Sequence, residues 1–232
     1  MPDRYAREDE GQPPSLHPPY RSTVARSPRQ PLVKIPQTLT ELTGPADFEA
    51  LMGPAMADLT RQHAAPPIGQ RIIVAGRVLD EAGRPVPRTV IEIWQANAAG
   101  RYIHAADQWD APLDPNFTGA GRVVTGYDGG YRFVSVRPGA YPWKNHDNAW
   151  RPAHIHLSLL GPAFATRLVT QMYFPDDPLI AIDPIACAVP EAHRGRLVGA
   201  FDLALTEPAW ALGYRFDLVL RGPDATPLEA EA

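Results

Sequence analysis

The sequence contains a single cysteine, Cys187, among 232 residues. One thiol can form neither an internal disulfide framework nor a zinc site built on thiolates, so both are excluded. A lone cysteine is most often a small buried hydrophobe, and we assign Cys187 no catalytic role. Together with the absence of an apolar leader in MPDRYAREDEGQPP, this cysteine usage predicts a cytoplasmic location.

Long apolar runs and an excess of basic charge are also missing. No apolar stretch approaches the roughly 20 residues that a membrane-spanning helix needs. The net charge is −4, from 22 Lys and Arg against 26 Asp and Glu, and no basic stripe is visible. These features argue against nucleic acid or a membrane as a partner.

Proline is abundant, and the N-terminal part of the chain is rich in it. Eight of the 27 prolines lie in residues 1–36, which predicts an extended segment rather than a helix. Residues 38–62 carry the only helical signals, and Gly-Pro pairs limit these to short helices. We therefore predict that residues 1–70 form an extended Pro-rich arm with short helices, which docks on a partner chain.

From residue 71 onward the pattern is that of β-structure. Asp-Gly-Gly between two alternating runs in GRVVTGYDGGYRFVSVRPG predicts a β-hairpin. Many short strands with almost no helix predict an all-β chain, an antiparallel β-sandwich with long loops at 101–120 and 174–196. We expect the catalytic domain at 71–222 and a C-terminal tail at 223–232. Further strands are predicted in RIIVAGRVLD, RTVIEIWQAN, AHIHLSLL, RLVTQMYF, GAFDLALT and YRFDLVL.

Two histidines interrupt the apolar strand AHIHLSLL. Because side chains alternate along a strand, His154 and His156 share one face and could bind a single metal ion. A His-x-His pair alone is weak evidence, since most such pairs are surface or core histidines. The oxygen donors available nearby are the phenols of Tyr102 and Tyr141, in loops rich in glycine and proline.

Phenols have a pKa of about 10 and bind metals at neutral pH only when the metal is a strong Lewis acid. This favours ferric iron, although Tyr141 could instead be a corner residue and Tyr102 a loop packing residue. Arg151 could stabilise negative charge on a bound substrate, or only form a surface ion pair. Three tryptophans could line an aromatic pocket or pack in the core: Trp94, Trp143 and Trp150.

Several motifs resemble the intradiol ring-cleaving dioxygenases. The similar stretches are PGAYPWKNHDNAWRPAHIHLSLLGP, WQANAAGRYIH, APLDPNF, TQMYFPDDPLI and YRFDLVLRG. ARSPRQPLVKIPQTLTELTGP resembles the iron-bearing β chains of that family, which cleave protocatechuate. The similarity covers residues 18 to 222, and Trp-Arg-Pro-Ala-His-Ile-His with an upstream Tyr-Pro-Trp is far more specific than a His-x-His pair.

The resemblance implies one non-haem Fe(III) per chain and the cleavage of protocatechuate by O2 to 3-carboxy-cis,cis-muconate, in aromatic catabolism (the β-ketoadipate pathway). It also implies a homologous α chain that forms part of the active site, in an (αβ)n oligomer. The implied metal ligands are Tyr102, Tyr141, His154 and His156. The implied catalytic residues are Arg151, Tyr141 and Gln171, and the implied substrate contacts are Tyr20, Arg26, Trp143 and Ile185.

Two alternatives remain open within the same fold. One is a homomeric catechol or hydroxyquinol 1,2-dioxygenase, but those relatives carry a helical dimerisation segment where this chain has its Pro-rich start. The other is a non-catalytic subunit, which would have no use for four metal ligands.

Overall fold

The structure is a computed structural model that describes residues 9–31, 33, 56–161 and 168–229. Its helical segments are short. They are 3₁₀ helices at Asp9–Gly11, Leu59–Arg61, Pro178–Ile182 and Gly195–Leu197, and the α-helices α1 (Arg21–Arg26), α2 (Pro184–Ala188) and α3 (Glu191–Arg194).

The strands account for most of the regular structure. They are β1 (Arg71–Leu79), β2 (Val90–Trp94), β3 (Ala120–Val124), β4 (Gly130–Val136), β5 (Tyr141–Pro142), β6 (Trp150–Arg151), β7 (His154–Leu160), β8 (Leu168–Tyr173), β9 (Ala200–Phe201), β10 (Leu212–Arg215) and β11 (Leu218–Val219).

Two sheets enclose the core. In the first, β1 pairs with β4 along one edge and with β10 and β11 along the other, and β9 extends it beyond β10. The second has the order β3-β2-β7-β8, with each pair antiparallel. Apolar side chains from both sheets form one buried cluster, which includes Ile72, Val74, Ile91, Ile93, Phe133, Ile155, Leu157 and Met172. The predicted all-β sandwich is confirmed.

The first sheet is mixed rather than purely antiparallel. β1 runs parallel to both β10 and β11, because alternation predicts a strand but not its direction. The stretch YRFDLVL, predicted as one strand, is divided between these two. The Asp217 carboxylate accepts a hydrogen bond from the backbone N–H of Arg77 at 2.8 Å, in place of a carbonyl of the neighbouring strand.

The predicted hairpin at GRVVTGYDGGYRFVSVRPG is wrong. Its two strands form, but β3 pairs with β2 in the second sheet and β4 pairs with β1 in the first. The turn therefore crosses from one layer to the other. Alternation shows which face of a strand is apolar, yet both layers bury apolar faces, so it cannot identify the partner. GAFDLALT also forms strand only at its start, in β9.

The N-terminal segment contains an α-helix that the proline content argued against. α1 occupies the proline-free stretch RSTVAR, and Thr23 is fully buried there. Its hydroxyl oxygen lies 2.8 Å from the carbonyl oxygen of His17 and 2.7 Å from that of Tyr20, and its single proton is shared between these two acceptors. Most of the helices predicted at 38–62 lie outside the described residues, apart from the 3₁₀ turn at Leu59–Arg61.

The loop at 174–196 is more helical than expected, since it contains α2, α3, the 3₁₀ helix at Pro178–Ile182 and the start of the one at Gly195–Leu197. Cys187 lies half-buried in α2, where burial raises the pKa of its thiol. Across the part of the chain that the structure describes, no helix is long and apolar enough to cross a membrane.

The backbone of β1 at Gly76 packs closely against the backbone of Phe216, and this contact leads to a prediction about stability. A side chain at Gly76 would collide with the Phe216 backbone carbonyl. We expect Gly76→Ala to lower the free energy of unfolding by about 2 kcal/mol, because backbone atoms must shift to admit the methyl group. Urea unfolding of the purified chain measures this.

Gly195→Ala is the matched control, since its φ is −57° and nothing lies within 4 Å of the added methyl group. It should change the free energy of unfolding by less than about 1 kcal/mol. Equal effects of the two substitutions would contradict the tight approach at Gly76.

Candidate metal centre and active site

Strand β7 directs both histidines away from the core. His156 lies opposite Trp94 of β2 and Gln171 of β8, and His154 lies opposite Tyr173. Because side chains alternate, burial of the apolar set fixes the face on which the histidines lie. The apolar side chains of β7 on the core side are fully buried: Ile155, Leu157 and Leu159.

The two imidazoles face each other through their Nε2 atoms, 3.2 Å apart. The Nδ1 atom of His154 is 2.7 Å from the carbonyl oxygen of Pro152, and Nδ1 of His156 is 3.0 Å from a carboxylate oxygen of Glu229. Both partners only accept hydrogen bonds, so we assign the ring proton to Nδ1 in each histidine. Burial, then the electrostatic effects of Arg151 and His156, lower the pKa of His154 well below its ordinary value.

Two phenols complete the cluster. The Tyr141 hydroxyl is 3.3 Å from Nε2 of His154, and the Tyr102 ring packs edge-on against that of Tyr141 with centroids 5.4 Å apart. The Tyr102 hydroxyl is buried and has no hydrogen-bond partner of good geometry among the described residues. Burial raises the pKa of both phenols, and that of Tyr102 is raised further by the neighbouring Tyr141.

A polar turn places Tyr102 beside the histidines. The Asn97 side-chain oxygen accepts hydrogen bonds from the backbone N–H groups of Ala99 and Arg101, each at 2.9 Å. The backbone N–H of Tyr102 then donates to Asp107 at 2.8 Å. These bonds fix a loop that would otherwise have no regular structure.

Arg151 is the permanent cation of the site and is only 3% exposed. It forms a buried salt bridge with Asp183 at 2.9 Å, donates to the Gln171 side chain, and contacts Nε2 of His154 at 3.1 Å. Tyr173 donates to the same Asp183 carboxylate at 2.8 Å. Burial alone would lower the pKa of Arg151, but Tyr173 and Asp183 outweigh it and hold that pKa well above its ordinary value.

The N-terminal arm reaches this site through an aromatic contact. Tyr20 is 4% exposed, and its ring centroid lies 5.6 Å from that of Trp143. The guanidinium of Arg151 lies 5.5 Å from the Trp143 ring centroid, and that of Arg26 lies 5.1 Å from the Tyr20 ring centroid. Ile185 is buried at the start of α2, next to Asp183.

Two protein-family models match this chain. A family model described as "Dioxygenase" matches residues 42–222, and one described as "Protocatechuate 3,4-dioxygenase beta subunit N terminal" matches residues 5–38. The chain belongs to the intradiol dioxygenase family. Enzymes of this family are oxidoreductases that depend on non-haem iron.

Individual relatives place the chain within this family. It is 56% identical over 216 residues to the protocatechuate 3,4-dioxygenase beta chain of Burkholderia cepacia, covering 92% of each chain. The alpha chain from the same organism is 32% identical over 183 residues, covering 78% of this chain and 84% of the relative. The 3-chlorocatechol 1,2-dioxygenase of Rhodococcus opacus 1CP shares the fold, with a TM-score of 0.55 at 23% identity, over 70% of this chain and 63% of that one.

The donor set fits an iron ion, as an intradiol dioxygenase requires. The lone pairs of two neutral Nε2 atoms repel each other at 3.2 Å unless a positive charge lies near both. The buried Tyr102 oxygen also has no hydrogen-bond partner of good geometry among the described residues, so it is available to bind a cation. Among the described residues, no group of three or more His, Cys, Asp or Glu could hold a metal. The phenols are therefore needed to complete a ligand set.

Sequence reasoning missed four residues that support the site. Asp183 precedes a proline at the start of α2, and this capping pattern was its only signal. Asn145 binds the backbone on both sides of Tyr20, at Arg21 N–H (2.9 Å) and Pro19 carbonyl (2.8 Å). Tyr173, predicted only as a strand residue, and Glu229, in the predicted tail, had no signal at all.

Because the Tyr102 hydroxyl has no well-placed hydrogen-bond partner among the described residues, we expect its removal to stabilise the iron-free chain. Tyr102→Phe should raise the unfolding free energy of the iron-free chain by about 1 kcal/mol, because a buried donor without a partner is removed. It should also lower iron content. Denaturant unfolding of the iron-free chain and metal analysis of the purified protein measure the two effects.

Tyr131→Phe is the matched control for this change. Tyr131 is a buried phenol that donates to the Phe216 carbonyl, so its loss should lower the unfolding free energy by about 1 kcal/mol and leave iron content unchanged. A destabilisation by Tyr102→Phe equal to that of the control would disprove the interpretation of Tyr102.

Proposed function

We propose that this chain is the iron-bearing chain of a hetero-oligomeric protocatechuate 3,4-dioxygenase. The reaction breaks the ring bond between the two hydroxyl-bearing carbons and adds both atoms of O2, which yields 3-carboxy-cis,cis-muconate. The observation that carries the proposal is the convergence of two imidazole Nε2 atoms 3.2 Å apart and two half-buried phenols beside Arg151.

The proposed cofactor is one Fe(III) per chain, held by Tyr102, Tyr141, His154 and His156. Two phenolates would balance two of the three positive charges, which favours the ferric state. Bound there, iron would supply a Lewis-acid and redox centre that activates a catechol towards O2. The chain's own residues position the substrate, balance charge and move protons.

Tyr141 and Arg151 have the proposed catalytic roles nearest the ring. The Tyr141 phenolate oxygen accepts a proton from a substrate hydroxyl as the catechol enters. Arg151 stabilises negative charge on the ring, and a buried guanidinium acts strongly because little water screens it. Gln171 holds Arg151 in place through its side-chain oxygen.

Four further residues are proposed to border the substrate. Tyr20 contacts the carboxylate and Arg26 supports the Tyr20 ring, while Trp143 and Ile185 border the aromatic ring and the oxygen. The Trp143 indole N–H is buried without a hydrogen-bond partner among the described residues, so it is available to a ligand. The arm, residues 1–70, is then part of the active site as well as a contact for the α chain, and residues 71–222 form the catalytic domain.

The two alternatives are weaker. A homomeric catechol or hydroxyquinol enzyme does not explain the match of residues 5–38 to the N-terminal family model of protocatechuate beta subunits, nor the packing of Tyr20 on Trp143. A non-catalytic subunit does not explain four donors converging on one point.

The central test is the complex of this chain with its homologous α chain. We expect a red-brown protein with one iron per β chain that consumes O2 and protocatechuate in equal amounts and cleaves between the hydroxyls. His156→Ala should lose iron and colour, whereas the control His146→Ala, at an exposed histidine, should keep both. A colourless, iron-free wild-type complex, or cleavage outside the two hydroxyls, would refute the proposal.

The arm generates a prediction about substrate choice. Tyr20→Phe should raise KM for protocatechuate about tenfold and leave KM for catechol nearly unchanged, because catechol lacks the carboxylate that the phenol would contact. Steady-state O2 uptake with both substrates measures this. Tyr127→Phe, at a tyrosine that is 94% exposed, is the control, and equal shifts for the two substrates would remove Tyr20 from the carboxylate site.

A further inference from the structure

The described C-terminal residues 223–229, here called the C-terminal strap, end against a proposed iron ligand. The strap lies beyond residue 222, where the dioxygenase family model stops. Its last described residue, Glu229, places a carboxylate oxygen 3.0 Å from Nδ1 of His156. The two residues are 73 positions apart in the chain, so this contact is made only when the strap is docked.

The strap is tied to the sandwich by hydrogen bonds along its length. Thr226 exchanges backbone and hydroxyl bonds with Val219 of β11, each at 2.9 Å. The Thr170 hydroxyl donates to the Pro227 carbonyl at 2.7 Å, and the backbone N–H of Glu229 donates to the Val169 carbonyl at 2.7 Å. These bonds fix the backbone that leads to the Glu229 carboxylate.

The N-terminal arm holds the same strap from the other side. The Gln12 side-chain oxygen accepts from the backbone N–H of Leu228 at 2.7 Å. Outside the arm, Arg196 of the 3₁₀ helix at Gly195–Leu197 forms an ion pair with Asp224 of the strap at 3.1 Å. The N-terminal arm and the C-terminal strap therefore meet beside β8, next to the proposed metal centre.

The two proposed histidine ligands are held differently. The Nδ1 atom of His154 donates to a neutral backbone carbonyl, whereas that of His156 donates to a carboxylate whose side chain is only 12% exposed. Trp94 stacks on the His156 ring with centroids 4.8 Å apart and planes 5° apart. The ring of His156 is thus fixed in plane by the stack and in rotation by Glu229.

We propose that Glu229 is a positioning residue for His156, and that docking of the C-terminal strap is required for tight retention of iron. The carboxylate keeps the ring proton on Nδ1, aims Nε2 at the other donors and makes the imidazole a stronger electron donor. This inference rests on the proposed iron site.

The test uses the iron-loaded complex with the α chain, challenged with a ferric chelator. Glu229→Ala should release iron 10- to 100-fold faster than wild type, as loss of such a partner weakens metal binding by that factor. Glu229→Gln keeps an acceptor oxygen for Nδ1 but loses the charge, so it should release iron at an intermediate rate. Glu207→Ala, which removes a surface ion pair with Arg132, is the control and should match wild type.

A spectroscopic readout separates positioning from simple anchoring. With weaker donation from His156 the iron is a stronger acceptor, so the tyrosinate-to-iron absorption of Glu229→Ala should move to longer wavelength. If iron release and this absorption stay at wild-type values while the iron-free chain melts at a lower temperature, Glu229 only anchors the strap and the inference is wrong. If wild type itself holds no iron, the proposed function fails first, and the two failures are distinguishable.

Discussion

Charge balance in a buried space is the constraint on which the rest of this site depends. Two imidazole lone pairs 3.2 Å apart, two phenols and a guanidinium lie together with little water to screen them. Asp183 already offsets Arg151 through a salt bridge in which both side chains are almost fully buried, and removing one partner of such a pair is costly. Arg151 also contacts Nε2 of His154 at 3.1 Å, but its charge is largely offset by Asp183. A metal ion bound by both phenolates and both imidazoles, as proposed, would balance the charges of these groups.

The sandwich supplies the rigidity that this balance needs. β7 lies between β2 and β8 with its apolar side chains in the core, and a slip of one residue would turn both histidines inward and both flanking isoleucine and leucine side chains out. The hydrophobic core thus holds the proposed metal ligands in register. Arg151 is held by a different element, β6, which pairs with the strand that carries Tyr141. One short strand pair therefore places the proposed proton acceptor and the permanent cation against the same atom, Nε2 of His154.

Features encoded within one segment could be predicted from the sequence, and features that depend on the meeting of distant segments could not. The strands β1, β2, β7 and β8, the shared face of the two histidines and the phenols followed from alternation and donor chemistry, and their assignment as ligands followed from the resemblance. The hairpin failed because an apolar face does not name its partner sheet. α1 was missed because the proline count of the whole arm hid a proline-free stretch. Asn145, Asp183 and Glu229 act on residues 124, 32 and 73 positions away, and no local pattern carries that information.

The N-terminal arm and the C-terminal strap are connected to each other and to the candidate site. Asn145 grips the backbone on both sides of Tyr20, and Gln12, eight residues earlier in the same arm, binds the strap that ends in Glu229. Displacing the arm would therefore loosen both the proposed substrate contact at Tyr20 and the partner of His156. If the homologous α chain packs on the arm, as proposed, it would stabilise both contacts at once without supplying a metal ligand. The site would then depend on the second chain because fixing the arm and the strap costs conformational entropy that an interface can offset.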